Sequence, residues 1–91
     1  MVERSDEYII GRLIERIRLL IATSDEIPTD RKLQTQPMLK EFQHALGVAP
    51  ADQDSQRIRS QYGFLCRELA EYPDLDALLS ALRNFVPCLD R

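Results

Sequence analysis

A second histidine, a Cys-x-x-Cys pair, a glycine cluster and a surplus of basic charge are all missing from this 91-residue chain. Each absence removes a class of function. With His44 as the only histidine and Cys66 and Cys88 as the only cysteines, one copy cannot assemble a four-ligand zinc set. A catalytic His44 would need a carboxylate or thiol at a supporting spacing, and none stands there, so His44 reads as a surface or boundary residue. Gly11, Gly47 and Gly63 are too far apart for a phosphate-cradling loop, so no nucleotide cofactor is expected. The acid pair Asp52-x-Asp54 resembles the start of a calcium loop. Counting from Asp52, however, the positions that need glycine and glutamate hold Arg57 and Gly63. No catalytic, metal-binding or cofactor-binding residues emerge, and the chain reads as a protein that is not an enzyme.

Charge and hydropathy narrow the field further. The net charge is −3 and the sequence pI about 5.1, which disfavours nucleic acid as a partner. Arg57 and Arg59 are two residues apart on a predicted helix and point about 200° from one another, so they form no compact basic face with Arg67. Long apolar runs are absent too. The first one is interrupted by Arg12, Glu15, Arg16 and Arg18, so no secretory leader is expected and a membrane-spanning helix is excluded there. A cytoplasmic protein with no small-molecule substrate is the expectation, and Met1 reads as a true N-terminus. Two reduced thiols fit that compartment, with a Cys66–Cys88 disulfide as the alternative.

What remains is helical periodicity. Apolar residues make up 44% of the chain and charged residues 30%, a balance suited to a folded domain. Strand signals are weak, with no Asn-Gly or Asp-Gly turn. The pattern predicts an all-α fold, a single domain over 1–91 with about four amphipathic helices in an antiparallel or orthogonal bundle. The first helix is expected over about 6–22, capped by Ser5, with Ile10, Leu13, Ile14, Ile17, Leu20 and Ile21 on one face. A long connection follows over 23–35, in which a short helical turn around Asp30 to Leu33 is expected to bury Leu33 as a plug. The second helix is expected over about 36–46, with Thr35 as cap, Pro37 in its first turn and Gly47 ending it in a left-handed conformation. The third and fourth are expected over about 52–71 and 74–86, the latter capped by Asp74. Gly63 inside the third helix implies close packing or a bend.

Two large apolar residues fall off these stripes. Leu19 lies away from the apolar face of the first helix, and Phe64 lies roughly opposite the apolar face of the third. Asymmetric packing, with a helix covered on two sides, would make both core; otherwise, with Arg12 and Arg16, which share a face, they define a candidate interface. Phe64→Asp is accordingly expected to weaken association while leaving the helices intact. The functional expectation is a non-enzymatic protein–protein interaction module, an adaptor or an N-terminal recruitment domain, open to self-association or a protein partner. In size and helix content the chain is similar to small adaptor domains of the death-fold kind. It is equally similar to immunity proteins, antitoxins and chaperone-type inhibitors, and no motif selects among them. A small nucleic-acid-binding regulator using Arg57, Arg59 or Arg67 is the alternative of a different class. A subunit lending a helix to another protein's active site is a third.

Overall fold

Helix α1 begins before its capping signals: it spans Val2–Thr23, so Ser5 sits inside the helix rather than at its cap. The structure, a computed structural model, describes residues 2–48, 52–86 and 89. Ile14, Ile17 and Ile21 form the buried stripe of α1, with Ile10, Leu13 and Leu20 packed beside it. The helix ends where Thr23 Oγ1 donates to the Leu19 carbonyl at 2.8 Å. Ser24 Oγ then accepts the Glu26 N–H at 3.1 Å and turns the chain.

The connection to α2 covers only 24–28, because α2 spans Thr29–Leu46. This corrects the expected start near residue 36. Pro28 does the capping that the sequence assigned to Thr35. Its backbone is extended (φ −60°, ψ 149°), and its carbonyl accepts the Lys32 N–H at 3.0 Å. Asp30 adds negative charge to the first turn and accepts the Arg31 N–H at 3.0 Å. Thr35 is fully buried inside the helix and donates to the Arg31 carbonyl at 2.9 Å. Pro37 is therefore interior to α2 and denies the Leu33 carbonyl its donor. It is tolerated because Pro37 faces solvent, where water can reach that carbonyl. Leu33, one turn earlier on the same side, is 67% exposed; the residue that plugs the core from this region is Ile27. Gly47 closes α2 at φ −80°, in right-handed geometry, with its N–H shared between the Gln43 and His44 carbonyls at 3.1 Å.

Helix α3 spans Ser55–Leu69 and α4 spans Pro73–Arg83, both shorter than their apolar patterns imply. Asp54 caps α3 by accepting the Arg57 N–H at 3.2 Å, leaving Asp52 outside. Tyr72, not Asp74, is the N-cap of α4, with Pro73 at the position where a missing N–H costs nothing. After Arg83 the chain leaves the helix, yet Val86 and Leu89 still reach the core. Arg83 Nε fastens this end by donating to the Leu89 carbonyl at 3.2 Å. Gly63 answers no tight approach: the nearest atom to an added Cβ is Arg67 Nη1 at 3.8 Å.

The helices pack in a ring, α1 against α2 and α4, and α3 against α2 and α4. Helices α2 and α3 run antiparallel. Arg31 at the start of α2 meets Glu71 just past the end of α3 at 2.7 Å, and Tyr62 on α3 donates to the Leu79 carbonyl on α4 at 2.6 Å. The molecule measures 38 × 24 × 21 Å, and α1 alone is about 33 Å long at 1.5 Å per residue. Helix α1 thus spans most of the long axis, and the four helices close around one core. At its centre Phe42 and Tyr62 stack at a ring separation of 6.1 Å. Leu39, Ile58, Leu65, Leu69, Leu75, Leu79 and Leu82 complete the core, each stabilising the fold by roughly 1.5–3 kcal/mol on burial.

Candidate interaction surface

The outward side of α1 carries the exposed groups that the bundle does not use. At about 100° per residue, Tyr8, Arg12, Glu15 and Leu19 fall within roughly a 60° sector, directly opposite Ile14, Ile17 and Ile21. Tyr8 is 65% and Leu19 49% exposed. The Arg12 guanidinium sits over the Tyr8 ring, 5.8 Å from its centroid, a contact that holds the long side chain along the helix. Glu15 is paired with Arg18, whose hydrogen bond holds the Glu15 carboxyl below its ordinary range. Arg16 is exposed on the adjoining edge. Gly11 lies half-buried about 40° outside this sector, and a Cβ added there would meet nothing within 4 Å. Packing within the chain therefore does not require glycine at a position where it costs about 1 kcal/mol against alanine.

The four residues predicted as an interface do not come together. Leu19, Arg12 and Arg16 share the exterior of α1. Phe64 is half-buried and packs against the core, on the flank of α3 that also carries Glu68. Glu68 lies 3.7 Å from Arg31 of α2, so this flank is turned toward the α2–α3 seam. Because α3 has two neighbours, it buries a wider arc than a single stripe. Helices α1 and α3 also stand diagonally across the bundle, so Leu19 and Phe64 face different directions. Tyr8 was the residue missing from the sequence-based set. Its spacing from Leu19, three helical turns, is the signal that finds it.

Arg31 organises the opposite end of the bundle from the α2–α3 connection. It donates to Glu71 at 2.7 Å and to the Tyr72 hydroxyl at 3.3 Å, and its guanidinium lies 6.0 Å from the Tyr72 ring centroid. The Glu71 hydrogen bond raises the Arg31 pKa above its ordinary value. These contacts clamp the start of α2 to the end of α3. Beside them, Leu20, Ile27, Tyr72 and Leu75 line a shallow cleft of about 80 Å³, well below the ~300–1,000 Å³ of ordinary ligand pockets.

The chemically reactive side chains are muted. Cys66 is free and half-buried, and burial raises its thiol pKa, which favours the unreactive protonated form. Burial also pushes the Tyr62 hydroxyl well up. Cys88 lies outside the described residues. His44 is exposed on the outer side of α2. Among the described residues, no group of three or more His, Cys, Asp or Glu side chains is placed to hold a metal. No described helix is long and apolar enough to cross a membrane. Arg57 and Arg59 are exposed on opposite flanks of α3, and Arg67 lies between them on its outer side. No family model, curated protein or solved structure matches this chain.

Proposed function

We propose that this chain is a non-enzymatic protein–protein interaction module acting in the cytoplasm, and that its working surface is the outward face of α1. The observation that supports this reading is the exposure of Tyr8 and Leu19 in one stripe with Arg12. Nothing in the core requires apolar side chains there, and an aromatic, a leucine and an arginine are anchor types in protein interfaces. Phe64 belongs to the fold in this reading and is no longer the residue to probe.

The test is cross-linking capture in cells with the wild-type chain and Leu19→Asp, scored by proteins retained by the first and lost by the second. Leu19→Asp is expected to abolish capture while keeping the wild-type circular dichroism spectrum and melting temperature, because Leu19 faces away from the core. Capture that ignores Leu19, Tyr8 and Arg12 alike would remove this face from consideration. Phe64→Asp is the contrasting control: it should unfold or strongly destabilise the protein, as a charge placed in a half-buried apolar seam does.

A further inference from the structure

The stripe on α1 is self-complementary, and we infer that its partner is a second copy of this chain, docked antiparallel through α1 about a two-fold axis. This rests on the reading of that face as the working surface. In an antiparallel pairing with the axis at the level of Leu13 and Ile14, Tyr8 of each copy lies across from Leu19 of the other. In that same register Arg12 of each copy lies across from Glu15 of the other. A single register thus satisfies both the apolar and the charged pairs, twice over, as an isologous interface demands.

Three features of α1 fit this occupant. The paired residues all lie within the narrow outward sector, so two helices in contact at about 8–10 Å bring them together. Tyr8 and Leu19, about 16 Å apart along the helix, would bracket the charged centre with apolar contacts. Arg12 is already held along the helix by the Tyr8 ring, so little side-chain freedom is lost when Glu15 of the second copy arrives. A single helix pair covers less than the ~1,200 Å² of standard interfaces, so the dimer is weak and concentration-dependent.

The experiment is light scattering behind size exclusion on the purified full chain, from about 10 μM to about 1 mM, a range set by that small area. It compares wild type, Arg12→Glu, Glu15→Arg, and an equimolar mixture of the two variants. Wild type is expected to dimerise reversibly. Each variant alone sets like charges against each other at two places and should associate about tenfold more weakly. The mixture restores both opposite-charge pairs in a heterodimer and should recover wild-type association. Unchanged circular dichroism in both variants separates interface loss from unfolding. A wild type that stays monomeric throughout overturns the second copy as partner. So does a mixture that associates no better than its components. In either case the interaction reading survives if cellular capture still depends on Leu19, and fails with it otherwise.

Discussion

Replacing Pro37 with alanine should stabilise this protein, because α2 runs unbroken through a residue that cannot complete its ladder. Pro37 is the ninth residue of a helix that begins at Thr29, well beyond the first turn where a missing N–H is harmless. In a helix interior, proline is about 3 kcal/mol less favourable than alanine. Part of that is offset because alanine gives the unfolded chain more freedom, about 0.4–1 kcal/mol. The solvent-facing position of Pro37 already softens the cost, and the bundle is shaped around whatever bend it imposes, so a net gain of about 1–2 kcal/mol is expected. For a domain of this size that corresponds to a rise of roughly 5–15 °C in melting temperature. Differential scanning calorimetry and urea unfolding, with m unchanged, would measure it. If α2 instead began at residue 36, as the capping pattern implies, Pro37 would be well placed at a helix start and Pro37→Ala would be neutral or destabilising. A melting temperature that stays level or falls refutes the continuous helix.

Gln61 is only 6% exposed, and its Oε1 has no hydrogen-bond partner among the described residues; Gln61→Met should keep the shape, remove the buried carbonyl and raise stability by about 1 kcal/mol in urea unfolding. Tyr62 and Cys66 both have raised pKa values in the fold, so their contribution is present below the ordinary ionisation range of phenols and thiols. It is lost as pH rises beyond that range, from about 8.5 for a free thiol and about 10 for a free phenol. Urea midpoints should therefore fall between pH 8 and pH 11, and less steeply in a Tyr62→Phe, Cys66→Ala double variant; equal slopes would show that neither group is linked to folding.

Much of the core was legible from periodicity, and for a physical reason. Burial of one helix face imposes the 3.6-residue repeat on the sequence itself, and Ile14, Ile17, Ile21, Leu65, Leu69, Leu75, Leu79 and Leu82 are all buried as that repeat requires. The helix ends were less legible, since Ser5, Thr35 and Asp74 carry the right side chains for caps without occupying cap positions. Pro28 and Tyr72, which do cap, act through backbone conformation. The polar residues of 29–35 and the nearby prolines resemble a connection holding at most a short helical turn. The stretch is helical, with Thr35 buried inside it, and Arg31 within it reaches Glu71 and Tyr72 on another part of the chain, a contact no local pattern announces.

The surface divides the same way. That Leu19 points away from its own helix stripe, and that Arg12 and Arg16 share a side, follows from residue spacing alone. The sequence by itself therefore determined an all-α chain, its core faces and one displaced leucine. Only the tertiary structure decided that Phe64 belongs to the α2–α3 seam, that Leu33 faces water while Ile27 fills the core, and that Tyr8 joins Leu19 on an open face. The reason is geometric: spacing records which residues share a side of one helix, whereas burial depends on how many neighbouring helices that side meets.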